Sequence, residues 1–217
     1  MRSVRGRNPD GDEKGMPMTA VAPLPQLYMT RPDLTNLPPL RVAEGYCVRT
    51  YEPGDDVHWV NIIAGSFKIE PSTLSFDKIM RQDPAFRPER IFFVCHGVEP
   101  VGTTAAYIRP VFRPQAGMIH YVGVLEGHGG KGLGQALMGA ALNRMRDEEW
   151  VSAWLSTDDH RLAAIKIYLA LGFEPWLLHE SHRSRWPAVL LALNRGDLIE
   201  TWQDLFASPI DIKQSIK

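Results

Sequence analysis

The chain is short of three things, and each shortage excludes a class of protein. Only 2 of its 217 residues are cysteines. Cys47 and Cys95 lie in separate apolar stretches without the paired short spacings of a zinc site, so no metal centre or disulfide framework is expected, and both read as buried free thiols of a reducing compartment. Long hydrophobic runs are missing too: no stretch approaches the roughly 20 apolar residues of a membrane span. The first residues carry Arg2, Arg5 and Arg7 but then turn acidic and Gly-rich, unlike a secretory signal. Net charge is the third shortage, since 24 Lys+Arg against 25 Asp+Glu leave −1. A balance that close supplies no general attraction to nucleic acid or to an anionic membrane. These features read as a soluble, cytoplasmic protein that binds neither, with a monomer and a homodimer both open.

What is present is enough for one domain with a sizeable core: 44% of residues are hydrophobic and 23% charged, near the globular average. Proline is unevenly spread. Seven of the 17 prolines fall in the first 40 residues, a density that blocks both helix continuation and central strand pairing. Residues 1 to about 20 read as disordered. Val21 to Leu40 read as an extended arm over the domain surface or a floppy leader.

From Gly45 onward the pattern is regular. Gly45–Tyr51 alternates like a strand, and Pro53-Gly54-Asp55-Asp56 turns into a helix with Trp59, Ile62, Ile63 and Phe67 at helical spacing. A second helix is expected after Ser72, ended by Pro84 and Pro88. Arg90–His96 and Val101–Ile108, joined by Gly97-Val98-Glu99-Pro100, form a hairpin, and Met118–Leu125 is a third strand. Helical periodicity follows over Gly132–Arg146, then a strand at Val151–Ser156, a helix at Leu162–Leu171, and strands at Phe173–Leu178 and Ala188–Leu193. The fold class is therefore mixed α/β: a meander followed by a β-α-β-α-β crossover. A domain over residues 41–195 is expected, with a tail over 196–217 that includes a short helix near Leu198–Phe206.

The junction between the third strand of the meander and its helix holds five glycines in eight residues: Gly127, Gly129, Gly130, Gly132 and Gly134. A helix N-terminus exposes unpaired N–H groups, and glycines let a ligand approach that backbone closely, so the segment reads as a phosphate cradle with Lys131 at its mouth. The P-loop pattern fails, because Leu125 holds its first glycine position and Gly132 follows the lysine. Gly127-His-Gly129-Gly-Lys-Gly132 fits Gly-x-Gly-x-x-Gly, but a dinucleotide fingerprint belongs after the first strand of a βαβ unit, and here a meander precedes it.

Two motifs in order, Val124-Leu-Glu126-Gly-His-Gly129-Gly-Lys-Gly132-Leu-Gly134 and Ala164-Ile-Lys-Ile-Tyr168-Leu-Ala-Leu-Gly172-Phe173, resemble the GNAT superfamily of acyl-CoA-dependent N-acyltransferases over about Tyr46–Leu193. Gly129 stands where the family usually has Arg or Gln, Glu126 where it has Pro, and Arg161 where it often has Asn. The resemblance implies a mostly antiparallel sheet splayed between its fourth and fifth strands and flanked by helices. It also implies an enzyme that takes acetyl-CoA as co-substrate and an amine as acceptor, in a ternary complex. By the same resemblance the backbone of Val122, Gly123 and Val124 holds the thioester and pantetheine arm. Gly129, Gly130, Lys131, Gly132, Leu133, Gly134 and Gln135 hold the pyrophosphate, and Lys131 and Arg161 are candidates for the missing charge.

Tyr168 matches the family's general acid, its phenol being mostly neutral at pH 7; an aromatic core residue is the other reading. His120 is the candidate base, placed by strand alternation on one face with residues 118, 122 and 124, with Glu126, Tyr121 and solvent as rivals. Asp158 and Asp159 read as helix caps. His179, His182 and Arg183 fall in the expected last hairpin, as selectors of an acidic acceptor or as an ordinary polar loop. The acceptor itself is not legible, and a non-catalytic module that binds CoA or a partner remains the alternative.

Overall fold

The computed structural model describes residues 24–108 and 115–210. The expected disorder of residues 1–20 lies outside them. The strands are β1 (Leu27–Arg31), β2 (Tyr46–Thr50), β3 (Ile91–His96), β4 (Glu99–Ile108), β5 (Ala116–Val124), β6 (Ser152–Thr157) and β7 (Glu174–Trp176). They form one sheet in the order β2-β3-β4-β5-β6-β1-β7. Every neighbouring pair is antiparallel except β5 and β6. The expected mixed, mostly antiparallel sheet is observed.

Helices cover both faces. Against one lie α2 (Leu133–Asp147) and α3 (Leu162–Ala170), whose Leu137, Ala141, Ile165 and Tyr168 pack with Phe92, Val94, Leu27 and Met29 of the sheet. Against the other lies α1 (Asp55–Phe67), with Trp59, Ile62 and Ile63 over Ile91, Phe93 and Cys95. Strand β3 is an unbroken apolar run because it is sandwiched on both sides. The first turn of α1 is fixed by buried Asp55, which accepts from Arg49 Nη1 at 2.6 Å, Arg49 Nη2 at 2.9 Å and the Glu52 amide at 2.7 Å. Burial alone would raise the Asp55 pKa, but these bonds outweigh it and hold the carboxyl below its usual range.

The arm differs most from expectation. Instead of lying over the surface, it supplies β1 inside the sheet, from Leu27 opposite Thr157 to Arg31 opposite Ala153 on β6, and Tyr28 opposite Trp176 on β7. Its prolines bound the strand without entering it: Pro25 precedes Leu27 and Pro32 follows Arg31. Between them the chain alternates, with Leu27 and Met29 fully buried toward α2 and α3 and Tyr28 on the opposite face beside Trp154 and Trp176. Buried Arg31 then donates to the Leu171 carbonyl at the end of α3, and to the Asn36 carbonyl at 2.8 Å. Gly172 has φ +76°, and a Cβ there would strike the Arg31 guanidinium, so glycine is required twice over.

Other expectations are corrected. Ala188–Leu193 is the end of a helix, α4 (His182–Ala192), because buried Trp186, Val189 and Leu190 continue a helical spacing from His182; a short apolar run does not separate the two readings. The second helix after Ser72 shrinks to a tight turn at Pro71–Thr73 and one wide turn over Asp77–Arg81, closed by Gln82 N–H to the Asp77 carbonyl at 2.9 Å. Cys95 is buried and free as expected, but Cys47, opposite it on the sheet's edge strand, is exposed. In the tail, α5 (Asp197–Thr201) and α6 (Gln203–Ala207) stand where a short helix was expected.

A strand inside the sheet and an arm on its surface differ in energy. Met29→Ala should lower the free energy of unfolding by about 2–5 kcal/mol in chemical denaturation, and a cost below about 0.5 kcal/mol would put the arm back on the surface.

Candidate active site

The sheet opens where β5 and β6 part. Their pairing begins at Ala116 opposite Ser152 and stops at Met118 opposite Trp154, while β5 runs on to Val124 and β6 to Thr157. This is the splay expected between fourth and fifth strands; β1 moves the count by one. The Leu125 amide donates to the Val101 carbonyl at 2.8 Å. By the alternation of an antiparallel ladder, the N–H and C=O of Val124, paired with Gly102, therefore turn away from β4 toward the gap. Ser66 on α1 donates to that carbonyl at 3.1 Å. Helix α1 comes this close because Gly123 has no side chain: a Cβ there would lie 2.8 Å from Ser66 Oγ and 3.2 Å from Ile63 Cδ1.

A bulge changes the faces of β5. Thr103 pairs with Gly123 and Ala105 with His120, so Tyr121 and Val122 together oppose Thr104. Tyr121 takes φ +50°, a left-handed conformation that costs an aromatic residue strain. The alternation expected for residues 118, 120, 122 and 124 breaks here. His120 and Tyr121 lie on the α1 side, the imidazole 5.1 Å from the Tyr107 ring and 4.2 Å from the Tyr121 ring between centroids. Val122 and Val124 pack on the α2 side. Burial raises the Tyr121 phenol's pKa.

Beyond β5 the chain makes one tight turn at Glu126–His128 and enters α2. Gly130 and Gly132 are left-handed, with φ +75° and +74°, and open space surrounds the Cβ positions of Gly127, Gly130 and Gly132. The first intrahelical bond runs from Ala136 N–H to the Gly132 carbonyl at 3.0 Å, and no side chain caps the helix. The amides of Leu133, Gly134 and Gln135 are therefore left for an external acceptor. Gly134 also serves packing, since a Cβ there would lie 3.0 Å from Ile167 on α3. Lys131 folds back, its ammonium donating to the Gly127 carbonyl at 3.4 Å.

His128, within the glycine turn, is half-buried. Its Nδ1 lies 2.8 Å from the hydroxyl of Tyr46 on β2, and its ring 5.6 Å from that of His96. Sequence reasoning passed over Tyr46, because nothing local marks a tyrosine that acts across 82 positions.

Tyr168 sits on α3, 4% exposed, with Phe173 at 6.2 Å, and burial pushes its phenol up to about 12 despite the opposing field of Arg161. Arg161 starts the same helix, its guanidinium carbon 3.9 Å over the Phe67 ring at the end of α1. Asp158 and Asp159 cap nothing. Asp159 pairs with Arg185 of α4, and Asp158 accepts from Gln26 at 3.2 Å. The expected last hairpin is replaced by α4. Within it His182 is fully buried, and Arg183 spends its donors on Glu180 and on the carbonyls of Phe206 and Ser208.

An open strand edge thus runs into a helix start with unpaired amides, while His120 lies on the α1 face of the sheet and Tyr168 packs on the other. The model of the acetyltransferase (GNAT) family matches residues 58–173, and the chain belongs to that family. It is 32% identical over 167 residues to a mycothiol acetyltransferase of Thermobispora bispora, covering 71% of this chain and 55% of that protein. To a mycothiol acetyltransferase of Frankia casuarinae it is 31% identical, covering 71% and 48%. The chain thus spans about half the length of the relatives it matches. Among solved structures, a GCN5-related N-acetyltransferase from Sphaerobacter thermophilus superposes with a TM-score of 0.56 at 23% identity, over 70% of this chain and 49% of that one. That likeness concerns the fold.

The Tyr46 bond predicts a local effect. Tyr46→Phe removes about 0.5–1.5 kcal/mol from the turn, so amides 127–131 should exchange hydrogen roughly 2- to 10-fold faster with the melting temperature nearly unchanged. Unaltered exchange would show that the turn holds itself.

Proposed function

We propose that the chain transfers an acetyl group from acetyl-CoA to an amine by direct attack within a ternary complex. One observation carries the reading: the unpaired end of β5, beyond Met118, runs straight into a helix start whose first amides have no carbonyl to bind. An extended pantetheine arm with amide groups fits beside a strand that lacks a neighbour, and a diphosphate fits a row of unpaired N–H groups. Open space at Gly127, Gly130 and Gly132 lets phosphate oxygens reach that backbone. The family supports the donor and the acyl transfer. The relatives' name, mycothiol acetyltransferase, supports an acetyl donor and leaves this chain's acceptor to experiment.

Val122, Gly123 and Val124 would hold the thioester arm, and a β5 amide aimed at the thioester oxygen would stabilise the charge that grows there. Gly129 to Gln135 would hold the diphosphate. The base and the acid then flank the reacting carbon from the two faces of the sheet. Of the candidates for the base, Tyr121 is unsuited because burial raises its pKa, so it stays protonated at neutral pH. Glu126 stands exposed at the turn, on the diphosphate side. His120 is left, facing α1, and accepts the ammonium proton directly or through water.

Tyr168 donates toward the leaving sulfur from the α3 side. A phenol at about 12 would lose roughly 5 kcal/mol by handing its proton fully to a thiolate whose acid has a pKa of about 8.5. Its role is therefore a charge-assisted hydrogen bond to the sulfur, with solvent completing the protonation.

A second reading, a CoA-binding module without turnover, is favoured by the depth of Tyr168, 4% exposed as a core residue would be. Calorimetry with acetyl-CoA and thiol release over a panel of amines separate the two. Binding with thiol release supports the enzyme, binding without release supports the module, and no binding sinks both. For the enzyme, Tyr168→Phe should lower kcat by about 10- to 100-fold with acetyl-CoA affinity unchanged. His120→Ala should lower kcat by about 100-fold, partly restored by added imidazole. Full activity in either variant would remove its assigned role.

A further inference from the structure

Outside the gap, a cavity of about 480 Å³ lies between the arm and the start of α2. Pro39, Leu40 and Arg41 form one wall, and Lys131, Gly132 and Gln135 form the other. The arm wall is anchored on both sides of Arg41, because Leu37 and Ala43 pack against the core and Leu40 Cδ1 comes within 3.2 Å of the Cβ position of Gly139 on α2. Arg41 itself is exposed. Lys131 and Gly132 belong to both the cavity and the glycine turn, so a group one sugar away from a diphosphate on that turn reaches the cavity. In CoA that group is the 3′-phosphate, carried on the ribose. Arg41 and the arm precede residue 58, where the family match begins.

We propose that the arm walls the nucleotide end of the acyl donor's site and that Arg41, facing Lys131, selects donors bearing a 3′-phosphate. The proposal rests on the acyl-CoA reading and assigns the arm a part in donor specificity. A guanidinium presents a fork of donors that a phosphate monoester can bind in two places at once, and a dianion between two cations is recognised by charge as well as shape.

The test compares CoA with 3′-dephospho-CoA by calorimetry on the full chain. The wild type should bind CoA at least about tenfold more tightly. Arg41→Gln should bring the two affinities within about twofold by weakening CoA alone, Arg41→Lys should keep most of the preference, and the melting temperature should stay constant because the side chain is exposed. Equal wild-type affinities, or an Arg41→Gln change that weakens both ligands alike, would overturn the proposal and leave the acyl-CoA reading standing. Binding of neither ligand would overturn both.

Discussion

The structure depends on keeping two adjacent strands apart. Beyond Met118 and Trp154, β5 and β6 have edges that would normally zip together, and an unpaired buried amide or carbonyl costs about 1–3 kcal/mol. The gap survives because each strand is held from its other side. β4 follows β5 to its end, through the Leu125 to Val101 bond, and Ser66 takes the Val124 carbonyl that faces the opening. β6 is held along its outer edge by β1, from Arg31 opposite Ala153 to Leu27 opposite Thr157, so the stretch that has lost β5 is still pinned. The Tyr121 bulge then bends β5 and twists it out of register with a flat sheet.

Seen this way, the arm before β2 is part of the site's scaffold. It fills the slot between β6 and β7, caps α3 through Arg31, and crosses α2 on its way to the far edge of the sheet. The β7 edge is blunted against pairing, since the strand has three residues with Pro175 at its centre. The carboxyl-terminal segment is tied down by Arg183, whose two terminal nitrogens hold the carbonyls of Phe206 and Ser208.

The parts of this arrangement that were legible in sequence are those written in local chemistry. Glycines at the β5 to α2 junction mark left-handed turns and open backbone, and the Tyr168 to Phe173 spacing marks a helix running into a strand. The arm is not legible from proline density, which is a property of a window, whereas Pro25 and Pro32 flank the five-residue strand Leu27–Arg31 without entering it. Ala188–Leu193 is not legible for want of context: Trp186 and Val189 reach their partners in the core from a helix. The bulge at Tyr121 leaves no trace in composition, since the residue that takes the left-handed conformation is an aromatic, yet it puts Val122 and Val124 on the face opposite His120.

That placement bears on the chemistry. On an unbroken strand, Val122 and Val124 would share the α1 face with Met118 and His120. His120 keeps the α1 face of Met118 and Ala105, beside Tyr107 and Tyr121, and the extra residue in β5 carries Val122 and Val124 to the α2 side. In the proposed reaction, His120 would work from the α1 side and Tyr168 from the α3 side. A strained tyrosine is an unusual choice for the bulge, because glycine would take the same φ without cost. Its ring, however, lies 5.0 Å from Trp59 and 6.1 Å from Phe67, so aromatic packing offsets the strain and fixes the direction in which the strand bends.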